Sequence, residues 1–184
     1  VQRRGFGPLV PGVFHVPYPT TAKAAAESIA AIERLFRTTA PPEEVAAIVI
    51  EPVQGEGGYV VPPKSFFDEL QRLARKHGIL LIADEVQCGN GRTGKMWASE
   101  HFGFVPDILA TAKGIASGMP LGVTIARAEI MDWKPGAHAS TFGGNPVAVA
   151  AALVTLDLLE SELIENAATQ GEYIMDRIRD WPRR

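Results

Sequence analysis

Short apolar runs that alternate with helical patterns constrain the fold of this chain more than any other feature. Four runs have the length and the β-branched content of buried strands, and they cover residues 45–51, 79–83, 108–112 and 123–126. Apolar residues near helical spacing predict helices over residues 21–37, 63–77, 145–160 and 162–178. The glycines and prolines of residues 1–20 predict an irregular segment. Strands that alternate with helices favour an α/β domain with a mostly parallel sheet.

Polar residues stand at or just past the ends of three of these predicted strands. They are Glu51, Asp84 and Lys113. Since ligands of such sheets bind beyond the carboxyl ends of the strands, we expect these three side chains to converge there. Lys113 follows an apolar run, so we expect it to be nearly buried. A buried amine suits Schiff-base chemistry, because reaction with an aldehyde removes the cost of burying its charge.

Composition and charge exclude several classes of function. The 184 residues suffice for one domain with a core of its own. A net charge of −3 gives no electrostatic case for nucleic acid or an anionic membrane, and no apolar run approaches the roughly 18 residues of a membrane span. Cys88 is the single cysteine, which precludes an intramolecular disulfide and favours a cytoplasmic location. The four histidines lack metal-ligand spacing, and Ser117 and Ser140 lack the partners of a hydrolase.

Residues 89–94 spell the pattern G-x-G-x-x-G of dinucleotide-binding loops. Such a loop should begin directly at the end of a strand, whereas residues 84–88 intervene here and include two carboxylates that would repel phosphates. No acidic residue stands in a second strand about 20 positions further on. The pattern therefore argues against a nicotinamide cofactor.

Four segments together resemble the class III aminotransferases, the family that includes the acetylornithine, ornithine and 4-aminobutyrate aminotransferases. They are residues 51–58, 80–87, 107–122 and 140–146, and the resemblance runs from about Gly5 to about Glu160. It implies a transferase of fold type I that depends on pyridoxal 5′-phosphate (PLP). Residues 1–160 would form the central part of its PLP-binding large domain, and residues 161–184 a helix that leads toward a small domain. Family members are much longer, so we interpret the chain as an internal fragment that is inactive alone.

The resemblance also implies the roles of five cofactor-binding residues. Lys113 would form the Schiff base with PLP and carry the proton, and Asp84 would hold the pyridinium N–H, although an aspartate there could also cap a turn. Val86 would pack on the ring, and Gln87 would bond near its phenolic oxygen. Thr141, which could instead cap a helix, would reach the PLP phosphate of the neighbouring subunit. The site would then be composite and the protein a homodimer.

Four other residues near these segments receive separate interpretations. By resemblance, Glu56 would gate substrates by pairing with an arginine that lies outside this chain. Glu51 is assigned a structural role, and Glu85 is either structural or orients its neighbours. Asn90 lies where members of the resembled family often carry a bulkier residue.

The function implied by this resemblance is transfer of an amino group to a 2-oxo acid such as 2-oxoglutarate. The donor would carry an ω-amino group, as 4-aminobutyrate, ornithine and acetylornithine do. Two alternatives remain. One is an amino-acid racemase of the same family, and the other is a non-catalytic fragment that acts only in interactions.

Overall fold

A four-stranded sheet forms the centre of the structure, a computed structural model that describes residues 4–181. Its strands are β1 (Ala47–Ile50), β2 (Leu80–Asp84), β3 (Ile108–Thr111) and β4 (Val123–Ala126), in the spatial order β1-β2-β3-β4. The first three strands are parallel and β4 is antiparallel to β3. The register places Ile50 beside Ala83, and Asp84 beside Ala110. The expected α/β fold with a mostly parallel sheet is confirmed.

The helices begin and end close to the predicted positions. They are α1 (Ala22–Thr38), α2 (Lys64–His77), α3 (Pro146–Leu158) and α4 (Ile164–Ile178). Thr21 caps α1 by accepting the Ala24 N–H at 3.1 Å, and Gly78 ends α2 in the left-handed conformation at φ 68°. A π-helical turn, Leu159–Leu163, joins α3 to α4, so the helical run passes residue 160 without a break. The proposed domain division at that residue stays a prediction.

The main core lies between the sheet and the helices α1 and α2. The amphipathic face of α2 buries Phe67 and Leu70 completely. Phe67 stacks against Phe104, with 4.9 Å between ring centroids, and packs at a tilt against Phe102, with 4.7 Å between centroids. A second, smaller cluster joins Ile115 and Ala116, just after β3, to Ala152 of α3. These two clusters fix the strands and the turn after β3.

Three loops leave the carboxyl ends of β1, β2 and β3 at one edge of the sheet. Two of these connections contain 3-10 helices, Ala98–Phe102 after β2 and Lys113–Ala116 after β3. Residues 4–20 contain neither helix nor strand, as predicted for them. No helix within residues 4–181 combines the length and apolar content needed to cross a membrane.

Candidate active site

Lys113 lies two residues past the end of β3 with a left-handed backbone, φ 47°. This conformation is uncommon for a residue with a side chain and recurs at functional sites. The turn that follows is held to α3, because the Ser117 hydroxyl bonds the Thr155 hydroxyl at 2.8 Å. The Lys113 side chain is exposed, so the expectation of near burial is wrong for this structure. Its ammonium extends past the strand end and donates to Gln87 Oε1.

Asn90 holds the strand end from which Lys113 extends. Its Nδ2 donates to Thr111 Oγ1 at 2.9 Å and to the Ala112 carbonyl at 3.2 Å. Asn90 is itself left-handed at φ 55°, a conformation that asparagine tolerates better than most residues. Its Oδ1 is buried and has no hydrogen-bond partner among the residues described. No pattern in the sequence predicts this contact, since it depends on a loop folding back on a neighbouring strand.

Asp84 is the last residue of β2 and is half-buried. Its Oδ1 accepts the Val86 N–H at 3.1 Å, so the aspartate does stabilise a turn. Its second oxygen makes no hydrogen bond within residues 4–181 and can accept another donor. The turn and the predicted ring-nitrogen contact are therefore compatible.

Gln87 connects the loops that follow the three parallel strands. Besides accepting from Lys113, its side chain lies directly on Gly55, in the loop after β1. The Gly55 N–H donates to Glu51 Oε2 at 2.8 Å. Glu51, Gln87 and Lys113 therefore belong to one chain of contacts along the edge, with Asp84 ending the central strand β2.

Glu85 lies behind this edge and is completely buried. Its carboxylate accepts the N–H groups of Ala98 at 3.0 Å and Ser99 at 2.8 Å, at the start of a 3-10 helix. The Cys88 thiol donates to Glu85 Oε2 at 3.2 Å. Burial, followed by the Glu85 carboxylate, raises the pKa of Cys88 to about 12. The structure thus gives Glu85 the structural role that the sequence left open.

The remaining predicted site residues are Val86, Glu56 and Thr141. Val86 is half-buried beside Asp84. Glu56 is exposed in the turn of residues 55–58, and it forms no ion pair in the described part of the chain. Thr141 is exposed in the turn before α3 and shares no hydrogen bond with the other candidates in residues 4–181. The roles assigned to these three residues stay predictions.

The glycine-rich residues 89–94 serve packing rather than phosphate binding. A Cβ on Gly91 would lie 2.7 Å from Leu159 Cδ2, and one on Gly94 would lie 2.9 Å from Ala168 Cβ. Both glycines also have positive φ, 78° and 80°. The loop leads into a short 3-10 helix instead of the long helix of a dinucleotide-binding unit. Its glycines let the loop pack closely against the helical run after α3.

A cavity of about 840 Å³ lies along the outer side of β1, bounded by α1 and residues 12–19. It reaches Glu51 and Asp84, but Lys113 and Gln87 do not line it. We place the candidate site at the edge that carries Lys113 and Gln87, because the reactive side chains meet there. Within residues 4–181, no three His, Cys, Asp or Glu side chains are grouped so that they could hold a metal ion.

Comparison with known proteins gives a family match over almost the whole chain. The family model described as aminotransferase class-III matches residues 2–183. Alanine/serine racemase from Pyrococcus horikoshii is 45% identical, over 97% of this chain and 41% of the relative. A 5-aminovalerate aminotransferase from Pseudomonas aeruginosa is 46% identical, over 96% of this chain and 42% of the relative. The chain thus spans about two fifths of the length of these relatives.

Solved transaminase structures share the fold. An amine transaminase from an uncultivated Pseudomonas species, crystallised in its PLP-bound form, superposes with a TM-score of 0.87 at 35% identity. The match covers 98% of this chain and 45% of the transaminase. The fold expected from the sequence, part of a PLP-dependent transferase, is confirmed.

Proposed function

Because the chain belongs to the class III aminotransferase family, we propose that its protein is a PLP-dependent aminotransferase. The observation that carries this proposal is the contact between Lys113 Nζ and Gln87 Oε1 at the carboxyl edge of the sheet. Asp84 ends the strand between the Glu51 and Lys113 loops. The end of β2 and its loop thus present a carboxylate and an amide beside the amine that follows the adjacent strand β3.

These residues fit the needs of PLP. The cofactor supplies an aldehyde and a protonated ring that withdraws electrons from the substrate. Lys113 offers an exposed primary amine for the aldehyde, and Asp84 offers a carboxylate oxygen without a hydrogen bond in residues 4–181. The absence of a side chain on Gly55 lets the Gln87 amide lie against it, beside Lys113. The chemistry of the donor set therefore supports the cofactor.

Each residue then has a defined task. Lys113 would hold the cofactor covalently through its amine, and the free amine would accept the proton lost from the substrate Cα. Asp84 would accept the ring N–H and keep the nitrogen protonated. Gln87 would donate from its amide toward the ring hydroxyl, and Val86 would pack on the ring. These tasks follow the family resemblance, and the positions of Lys113, Asp84 and Gln87 at one edge support them.

The proposed donor carries an ω-amino group, and the acceptor is a 2-oxo acid such as 2-oxoglutarate. The 5-aminovalerate aminotransferase that is 46% identical acts on an ω-amino acid by its name, which supports this class of donor. Glu56, exposed in its turn, would pair with an arginine elsewhere in the protein to admit the acceptor. We place the reaction in the cytoplasm.

We also propose that the protein is a homodimer with a composite site. Thr141 would reach the phosphate of the PLP bound to the partner subunit. The neighbouring helix α3 leaves apolar side chains exposed, among them Val147, Leu153 and Val154, as expected of a surface that becomes covered. Sedimentation of the purified protein should give a dimer, and a monomer that still binds PLP would contradict the composite site.

Racemisation is the second candidate, because one relative at 45% identity is an alanine/serine racemase. The two reactions differ in their products. An aminotransferase given an amino donor and no acceptor releases one equivalent of the oxo product per site. A racemase releases the mirror-image amino acid instead, which chiral chromatography detects. The third possibility, a chain used only in interactions, would give neither product.

Chemical trapping tests the proposal directly. The intact protein is incubated with PLP, reduced with borohydride and mapped by peptide mass spectrometry. We expect a phosphopyridoxyl group on Lys113 and its complete loss in Lys113→Ala, whereas Lys95→Ala should leave the label unchanged. Absence of the label from Lys113 in the intact protein would overturn the proposed function. A turnover assay with 4-aminobutyrate and 2-oxoglutarate tests the expectation that the isolated 184 residues are inactive, and turnover would contradict it.

A further inference from the structure

We propose that Gly55 positions the Gln87 side chain for its contact with Lys113, and that it does so because it has no side chain of its own. This inference rests on the proposed function, in which Gln87 and Lys113 belong to the cofactor site. It assigns a positioning role to a residue of the loop after β1, which donates no side-chain group to the site.

The carbon that Gly55 lacks would occupy the space of the Gln87 amide. A Cβ built on Gly55 would lie 2.5 Å from Gln87 Nε2, 2.6 Å from Cδ and 2.9 Å from Cγ. Real Cβ atoms essentially never come this close to other heavy atoms. The φ of Gly55 lies outside the left-handed region, so an alanine there would not be strained by its backbone. The effect of an added methyl group is therefore a clash with the Gln87 side chain.

The backbone of Gly55 is held too firmly to move aside. Its N–H donates to Glu51 Oε2 at 2.8 Å, and its carbonyl accepts the N–H groups of Gly58 at 3.0 Å and Tyr59 at 3.2 Å. The Tyr18 hydroxyl donates to the Glu51 carbonyl at 2.9 Å and to the Pro52 carbonyl at 3.2 Å, just before the turn. Gly55 itself is buried.

The Gln87 side chain must therefore give way when Gly55 gains a methyl group. A glutamine amide can rotate without disturbing the backbone, so the fold should survive. The Gln87 amide would then move away from Lys113 Nζ. That contact is the only hydrogen bond of the Gln87 side chain within residues 4–181. Gly55→Ala should consequently reproduce the effect of Gln87→Ala at the site.

Gly57 provides a matched control in the same turn. A Cβ there would lie 2.7 Å from Gln54 Oε1 and 2.9 Å from Gln54 Cδ, and its φ also lies outside the left-handed region. Gly57→Ala thus makes the same chemical change against the side chain of a different glutamine. It should displace Gln54 and leave Gln87 in place.

The test measures how much PLP half-saturates borohydride labelling of Lys113 in the intact apoprotein. We expect Gly55→Ala and Gln87→Ala each to raise this concentration about tenfold or more, since a tenfold change corresponds to about one hydrogen bond to a charged group. Gly57→Ala should stay within about twofold of the unmodified protein. The double variant Gly55→Ala with Gln87→Ala should be no worse than Gln87→Ala, because the residue that Gly55 positions is already absent.

Several results would overturn the inference. These are unchanged labelling in Gly55→Ala, an equal effect in Gly57→Ala, or full additivity in the double variant. If Gly55→Ala fails to fold, the double variant should still fold, because removing the Gln87 side chain removes the clash. A double variant that also fails to fold would mean that the glycine serves another purpose. A crystal structure of the Gly55→Ala apoprotein decides independently of PLP. We expect Gln87 turned away from Lys113, and a preserved contact would contradict the proposal even if Lys113 is never labelled.

Discussion

The residues at the end of β2 belong to two groups with opposite surroundings. The strand-edge group, Asp84 and Gln87 with Lys113, is half-buried or exposed, and its side chains make few contacts. The buried group, Glu85 and Cys88, is enclosed, and the Glu85 carboxylate accepts from two backbone N–H groups and a thiol. Consecutive residues thus serve a reactive edge and the structure behind it.

This difference shows how a loop can be both rigid and reactive. A buried carboxylate must have its hydrogen bonds satisfied, and here they tie residue 85 to the turn at residues 97–99. The backbone between these points is thereby fixed, including the part that carries Gln87. The strand-edge side chains can then keep unused hydrogen-bonding capacity without loosening the loop. We expect substitutions in the first group to impair chemistry and substitutions in the second to impair stability.

Asp84→Asn should give the largest effect and should leave the fold intact. An asparagine can still accept the Val86 N–H through its oxygen, so the turn survives. It cannot stabilise a protonated ring nitrogen, so exchange of the substrate Cα proton should slow by orders of magnitude. The exchange rate is measured by NMR in deuterated water with PLP bound. Near-normal exchange would remove Asp84 from the site, and an unchanged melting temperature serves as the control.

The strand-edge group was also the part of the site that the sequence could predict. Asp84 and Lys113 each follow an apolar run, and strand order brings their loops to one edge. The exposure of Lys113 could not be predicted, because it depends on what the rest of the fold places above the strand end. Two further contacts could not be predicted either, because each joins residues that are distant in the sequence. Asn90 contacts Ala112, 22 positions further on, and Gly55 contacts Gln87, 32 positions further on.

Glu85→Ala should be the most destabilising change in the buried group. It leaves the Ala98 and Ser99 N–H groups buried without acceptors and opens a cavity, for a loss of about 3–5 kcal/mol in the free energy of unfolding. Glu85→Gln keeps one acceptor oxygen and should lose less. Urea titration of both variants measures the difference. If Glu85→Ala unfolded at the same urea concentration as the unmodified protein, the buried carboxylate would not support the loop.

Asn90→Ala should affect both stability and the labelling of Lys113, and its effect on stability should be smaller than that of Glu85→Ala. It removes the two bonds to Thr111 and Ala112 and places alanine in a left-handed conformation, at a cost of about 1–2 kcal/mol. Because the end of β3 is then held less firmly, borohydride labelling of Lys113 should also need more PLP. Asn90→Asp should be worse than alanine, since it sets an oxygen against the Ala112 carbonyl. A milder effect of aspartate would contradict the assigned Nδ2 contacts.

Cys88 should produce the smallest effect, and only at alkaline pH. Burial and the Glu85 carboxylate raise its pKa from 9.0 to about 12, so between these values the folded protein retains a proton that the unfolded chain releases. The contribution of the Cys88 thiol to the free energy of unfolding is therefore fully present below pH 9 and falls as the pH rises. For a single such group the loss from pH 8 to pH 9.5 is about 0.8 kcal/mol. Urea unfolding at the two pH values measures this loss, and Cys88→Ala should reduce it by that amount. An equal loss in the alanine variant would mean that other groups cause the alkaline destabilisation and that the thiol titrates alike in the folded and unfolded states.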